Sequence, residues 1–224
     1  MRGESLPEAW LYWHGLEGDR RYAFVRRGAN SGFPWLTGRE LPQMLLYTPR
    51  FMQPQDPRQS PITVTTPGGY DLPLESPELV EELQQACKEA IFLLKLSRGT
   101  FDSQVLSLMS TASVVALGEK AGMNLEINRF RQNIIIETPD GRPFQEEEWL
   151  DRELVFGRDP DGPRIRLIRR ISRCVMINIH PHTAERDARV LKTVAQGRDN
   201  CAGTYASVER PGVIRVGDPV SLLL

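Results

Sequence analysis

The sequence predicts a mainly β (α+β) protein, with short strands forming a β-barrel or sandwich and a few peripheral helices. Three observations predict it. Short runs rich in β-branched and aromatic residues recur along the whole chain. The 18 glycines and 17 prolines cut those runs into pieces too short for long helices. Helical spacing of apolar residues or helix-terminus signals mark only three stretches.

In chain order, RYAFVR (21–26), MLLYTP (44–49) and ITVTT (62–66) read as strands. TPRFMQPQDPRQSP (48–61) holds four prolines and reads as a surface loop, after which PGGYDLPL turns the chain back. Ser76-Pro77 supplies an N-cap and a proline at the first helical position. Leu79, Val80, Leu83, Cys87, Ala90, Ile91 and Leu94 then follow at helical spacing, which places Cys87 in a core. VLSLM (105–109) is a strand running into a helix over STASVVALGEKAG (110–122). INRFRQNIIIE (127–137) reads as a strand, and RIRLIRRISRCVMINIH (164–180) as one long strand or two. ERDARVLKTVAQ (185–196) can form a helix with Gly197 as C-cap, leaving Cys201 in a loop before the strand TYASVE (204–209). PGVIRVGDPVSLLL closes the chain as a turn and a last strand.

Composition excludes several classes. A formal charge of −1, from 28 basic and 29 acidic residues, gives no general reason to expect nucleic acid or an anionic membrane as partner. Three irregularly spaced cysteines make no disulfide framework and no CxxC pair, which suits a reducing compartment. AIFLL (90–94) is far shorter than the ~20 residues of a spanning helix. MRGESLPEAW carries charge early and lacks an apolar core, so no signal peptide and a cytoplasmic protein are expected.

Chemistry-bearing groups are scattered. As a strand, 127–137 would put Arg129, Arg131 and Asn133 on one face, either a grip for phosphate or carboxylate or an ordinary exposed face. The helix start at Ser110, Thr111 and Ser113 either binds an anion or is a simple N-cap. Arg20 and Arg21 follow a glycine-rich turn and either meet an anion or make a surface ion pair. His180 and His182 in HPH suggest a zinc site, or a thiol base for Cys201 or Cys174, but no third ligand stands at suitable spacing.

The order of these motifs resembles a family. RGESLPEAWLYWHGLEGDRRYAFV is similar to the opening of the N-terminal β-barrel module of MOSC proteins (molybdenum cofactor sulfurase C-terminal). FPWLTGRELPQM resembles that module's FLT-x-R-x-x-P segment. STASVVAL, NRFRQNIII, ISRCVMINIHPHT, GRDNCAG and PGVIRVGDPVSL follow in the order of a MOSC domain. The sequence is thus identified as resembling bacterial MOSC proteins and the mitochondrial amidoxime reducing component. The resemblance implies a smaller N-terminal module over 1–98 and a MOSC-type β-barrel over 99–224.

It also implies a molybdenum–molybdopterin cofactor. Cys201 would be its protein thiolate, helped by Arg198, while Arg20, Arg131, Asn133 and the Ser110, Thr111, Ser113 helix start would hold the pterin and its phosphate. Arg129 and Arg39 are weaker matches, and Cys174 is expected to be a strand residue or a thiol behind the ligand. The implied reaction is two-electron oxygen removal from hydroxylamines, amidoximes and N-hydroxylated bases. With no iron–sulfur cysteine set and no nucleotide-binding glycine loop, electrons would come from a separate flavin or iron–sulfur reductase. The alternative is a non-catalytic carrier of cofactor or sulfur that uses Cys201. Two departures stand out: relatives carry a further strand before the Arg-Gly matched by Arg2-Gly3, and Gln132 stands where they have proline.

Overall fold

In the computed structural model, which describes residues 1–29, 32–99 and 103–223, fourteen strands and three α-helices follow the chain. The first half holds β1 (Glu8–Tyr12), β2 (Gly15–Leu16), β3 (Tyr22–Arg26), β4 (Thr48–Phe51), β5 (Ile62–Thr65), β6 (Asp71–Pro73), α1 (Pro77–Cys87) and β7 (Ile91–Lys95). The second holds β8 (Leu106–Ser110), α2 (Thr111–Ala121), β9 (Ile134–Ile136), β10 (Glu153–Phe156) and β11 (Arg164–Ser172). It ends with α3 (Arg189–Arg198), β12 (Cys201–Arg210), β13 (Gly212–Arg215) and β14 (Val220–Leu223). The mainly β class is as expected.

The chain divides into two compact units, each discontinuous in sequence. The first comprises Met1–Glu4, Gly18–Thr100 and Ile179–Glu185, and the second Ser5–Glu17, Phe101–Asn178 and Arg186–Leu224. In the first unit β3 pairs with β7, and β4, β5 and β6 form a three-stranded meander. Helix α1 starts where the sequence says: the Ser76 side chain accepts from the Leu79 amide at 3.3 Å, and Pro77 follows. Leu79 and Leu83 are fully buried against Phe24, Tyr47, Val64 and Ile91.

Three expectations for this unit change. The helix ends at Cys87, because Lys88 turns left-handed at φ 59°, and Ile91 and Leu94 enter strand β7 instead. Apolar spacing alone cannot distinguish a helix from a helix, a turn and a strand. Cys87 stays beside the core, half-buried. The expected strand over 44–49 is only partly strand: Pro42–Leu46 is a 3₁₀ turn, and β4 starts at Thr48 and runs into the supposed proline loop. Proline at position 49 is tolerated because β4 is an edge strand, paired only with β5.

The second unit is built on a six-stranded sheet in the order β14-β10-β11-β12-β8-β9, antiparallel throughout except for β8 and β9. Helix α2 lies between those two parallel strands in sequence, as parallel pairing requires. Every residue of β8 is buried. Leu106 and Leu108 face a core with Leu154, Ile165, Leu167 and Ala206, while Met109 faces a second core with Leu117, Phe130, Val194 and Ala202. A strand covered on both faces reads as a near-continuous apolar run; β8 departs from this at Ser107 and Ser110, whose hydroxyls are hydrogen-bonded to Asn133 and Ser113. A separate sheet, β13-β1-β2, belongs to the same unit.

Here the main correction concerns 127–137. Ile127–Phe130 is a 3₁₀ turn, Arg131 is left-handed at φ 53°, and only Ile134–Ile136 is extended. β-branching identified the strand's end but not its beginning. The long stretch 164–180 is strand only to Ser172, followed by a 3₁₀ turn at Val175–Asn178. Cys174 is therefore not a strand residue; it is exposed in the connection. Helix α3 runs through Gly197 and is closed by Asp199 at φ 52°. The closing segment forms two strands, with the Arg215 amide donating to Asp218 Oδ2 at 2.8 Å in the turn between them.

Candidate functional site

The Arg-Asp-Asn that precedes Cys201 has a geometric job. Asp199 and Asn200 are both left-handed, at φ 52° and 60°, a conformation that Asp and Asn tolerate better than other side chains. They stop α3 and turn the chain directly into β12, so Cys201 opens a strand instead of lying in a loop. Asn200 Nδ2 donates to the Arg173 carbonyl at 2.8 Å and to Ser172 Oγ at 3.2 Å, while the Arg173 amide donates to the Asn200 carbonyl at 2.8 Å. That clamp pins the turn to the end of β11.

Past Cys201 the ladder is irregular. Cys201 opposes Ser172, Thr204 opposes Arg170, and the register shifts between them. Gly203, at φ 74°, sits in this bulge. A Cβ on Gly203 would lie 2.8 Å from the Leu108 carbonyl oxygen and 2.9 Å from Gln132 Nε2. Only glycine fits, because both the dihedral and the space exclude a side chain.

Two carboxylates from the 3₁₀ turn Gln145–Glu147 hold the surroundings. Glu147 Oε1 accepts from the Gly203 amide at 3.2 Å, and Oε2 pairs with Arg170 Nε at 2.8 Å and with the Arg198 guanidinium. Arg198 also lies 3.7 Å over the Phe144 ring. Burial pushes the Glu147 carboxyl above the ordinary carboxylate range; Arg198 and Arg170 oppose that shift, and Glu146 adds to it. Glu146 is fully buried, and its Oε1 accepts from the Ser110 amide at 3.2 Å and Ser113 Oγ at 2.7 Å.

Arg173 is the third element. Its Nε donates to the Ala202 carbonyl at 2.9 Å and one terminal nitrogen to the Phe130 carbonyl at 3.0 Å, with the Phe130 ring 5.4 Å below. The other terminal nitrogen is enclosed and has no hydrogen-bond partner among the described residues. Enclosure lowers the pKa of this guanidinium to about 10, so it stays cationic at neutral pH; Tyr205, Cys174, Cys201 and Glu147 act against the shift. Gln132 Oε1 is likewise enclosed and without a partner.

The predicted site residues are divided between the two units. Cys201 and Arg198 lie in this network, Arg198 through Glu147. Ser110 and Ser113 are fully buried, and the carboxylate of Glu146 takes the place at the α2 start where a phosphate was expected. Thr111 is half-buried in the first turn. Arg129 and Arg131 share no strand face: Arg129 is buried and donates to the carbonyl of Asn178 at 3.2 Å, and burial lowers its pKa. Asn133 Oδ1 accepts from the Ser107 amide at 3.1 Å and Ser107 Oγ at 2.9 Å, which fixes β9 to β8. Arg20 belongs to the other unit, is left-handed at φ 50°, and pairs with Asp19 at 2.5 Å. Arg39, also there, lies 4.6 Å over the Phe33 ring. His180 Nδ1 accepts from the His182 amide at 3.2 Å, and no group of three or more metal-ligating side chains occurs among the described residues.

Sequence reasoning missed Arg173, Glu146, Glu147 and Arg170. The run QEEEW (145–149) was the available signal, since three adjacent carboxylates before a tryptophan are unusual for a plain exposed turn.

The chain is 28% identical over 135 residues to human mitochondrial amidoxime-reducing component 1, covering 54% of this chain and 38% of that protein. It is 29% identical over 132 residues to mitochondrial amidoxime reducing component 2 of Bos taurus, covering 53% and 37%. The match thus spans about two fifths of the length of these relatives. The crystal structure of the YUAD protein from Bacillus subtilis superposes with a TM-score of 0.50 at 13% identity, over 98% of this chain and 86% of that one, which supports the fold. Among the described residues no helix is long and apolar enough to cross a membrane. The sequence profile of the MOSC domain, a family associated with the molybdenum cofactor, matches residues 96–221, more than half of the chain. The protein belongs to the MOSC domain family.

Proposed function

We propose that this protein binds the molybdenum cofactor through Cys201 and reduces N-hydroxylated compounds, with electrons supplied by an external flavin or iron–sulfur reductase. The observation that carries the reading is the enclosed Arg173 nitrogen without a partner, within electrostatic reach of the Cys201 thiol. A buried, unpaired charged donor costs about 1–3 kcal/mol or more, and an anionic group bound there would recover it. The donor set fits such a group: thiol sulfur suits a thiophilic metal, and a rigid guanidinium suits an anionic periphery.

When bound, the cofactor supplies two-electron oxygen-atom removal. The protein's own residues have simpler tasks. Cys201 offers the soft ligand, aimed by the Asp199–Asn200 turn before it and the Gly203 bulge after it. Glu147 holds the bulge through the Gly203 amide and neutralises Arg170 and Arg198. Arg173 would offer its remaining N–H to the bound group, with Arg131 and Thr111 as further proposed contacts. Asn133 is a further proposed contact through its amide nitrogen, its Oδ1 being engaged by Ser107.

The test is expression in a host that makes the cofactor, then molybdenum and pterin measurement, then turnover of an N-hydroxylated base with a reduced viologen as donor. The reading expects stoichiometric molybdenum, steady reduction, and loss of both in Cys201→Ser. Equal turnover by Cys201→Ser would overturn the ligand assignment. Molybdenum without turnover would favour the carrier reading, which the half-exposed thiol of Cys201 also supports.

A further inference from the structure

Of the three cysteines, Cys87 lies in the first unit, at the end of α1. Cys174 and Cys201 share one corner of the second unit. Ser172 and Cys201 are Cα partners at the end of the β11–β12 ladder, and the Arg173–Asn200 hydrogen bonds carry the pairing one residue further. Cys174 therefore stands two positions beyond the residue opposite Cys201. The Arg173 amide bonded to the Asn200 carbonyl and the Asn200 side chain bonded to the Arg173 carbonyl tie together the two residues that directly precede Cys174 and Cys201, so the cysteines flank one clamp. Both thiols also lie within electrostatic reach of the same Arg173 guanidinium. A disulfide needs about 4.4–6.8 Å between Cα atoms, so closure takes a shift of one of the two residues into that range. The exposed Cys174, in the short connection between β11 and the 3₁₀ turn Val175–Asn178, is the side free to make it.

We propose that Cys174 and Cys201 form a dithiol site that hydrogen peroxide converts to an internal disulfide. The exposed Cys174 sulfur attacks one peroxide oxygen; an S–O bond forms, the O–O bond breaks, and the other oxygen leaves as water. Cys201 sulfur then attacks the Cys174 sulfenic acid; the S–S bond forms, the S–O bond breaks, and the hydroxyl leaves as water with the Cys201 proton. Two electrons pass from the thiols to the peroxide, and an added dithiol reverses the change. The consequence for cofactor binding, an occupied Cys201 sulfur, rests on the ligand reading above. The cross-link itself does not.

The experiment treats the full chain, reduced and desalted, with equimolar hydrogen peroxide, alkylates the remaining thiols and maps the peptides by mass spectrometry. The expected result is one link between the peptides of Cys174 and Cys201, a mass about 2 Da below the reduced chain as two hydrogens leave, and a monomer on a non-reducing gel. Cys87→Ser gives the same link. Cys174→Ser, at an exposed position, removes the link and leaves Cys201 open to alkylation or to a sulfenic-acid trap. Separate oxidation of the two cysteines without a link, or links only between chains, would overturn the proposal, and the wild-type map alone decides this. A link in a chain that takes up no molybdenum upholds the dithiol site and overturns the cofactor reading. Molybdenum on Cys201 with no link in the metal-free chain does the reverse.

Discussion

Replacing Gly203 with alanine tests the bulge that aims Cys201. Two costs combine. At φ 74° an alanine must adopt the left-handed region, about 1–2 kcal/mol. Its Cβ would also stand 2.8 Å from the Leu108 carbonyl oxygen and 3.3 Å from Met109 Cβ, inside β8, which is buried along its whole length. Overpacking of that kind costs about 1–3 kcal/mol, because a strand covered on both faces has nowhere to move. The sum is about 2–5 kcal/mol, or roughly 4–20 °C in melting temperature for a chain of this size. Gly122→Ala is the control: it has φ 66°, and a Cβ there meets nothing within 4 Å, so only the dihedral cost of about 1–2 kcal/mol applies. Urea denaturation followed by circular dichroism measures both variants. If Gly203→Ala and Gly122→Ala agree within about 0.5 kcal/mol, the close approach has no energetic weight and the account of the bulge is wrong.

Other outcomes follow from the same geometry. Glu147→Ala deprives the Gly203 amide and two guanidinium groups of their acceptor and is expected to cost about 3 kcal/mol in urea denaturation. Glu147→Gln keeps an acceptor and is expected to cost less than about 1 kcal/mol at neutral pH. Because the folded pKa of Glu147 is raised, wild-type stability from this group is fully present below its ordinary pKa of 4.5 and lost as pH rises through the folded pKa. The stability of Glu147→Gln relative to wild type should therefore fall as pH is lowered toward 4.5, and a pH-independent difference would refute the burial argument. Ser76→Ala removes the α1 cap and should cost about 1 kcal/mol, read as a shift in the denaturation midpoint. Arg173→Lys keeps the charge but gives up the fork that spans Ala202 and Phe130, so cofactor content, measured by pterin fluorescence, should fall more than melting temperature.

Much of the framework is legible in the order of the residues. Ser76-Pro77 marks the start of α1, and STAS marks the passage from β8 to α2, because caps are local chemistry between residues three apart. The misreadings share a cause as well. The apolar pattern from Leu79 to Leu94 continues through a left-handed Lys88, and the pattern from Ile127 to Ile136 continues through a left-handed Arg131. Neither residue is one that usually marks such a turn, so periodicity passes over both. The same oversight puts Arg129, Arg131 and Asn133 on one face, whereas Cys174 is read into a strand because apolar residues continue past Ser172 into the 3₁₀ turn Val175–Asn178.

The sequence by itself determined the mainly β class, the family through the order of its motifs, and Cys201 as the cysteine to watch. These follow from local propensity and from residue order, which a linear chain carries. The tertiary structure decided what surrounds that cysteine. Glu147 reaches Gly203 across 56 positions and Arg173 reaches Phe130 across 43, and such pairings have no local signature. It also placed a carboxylate at the α2 start where an anion had been expected from outside. A helix terminus attracts negative charge, but whether that charge is a ligand's or the protein's own depends on what the fold brings there.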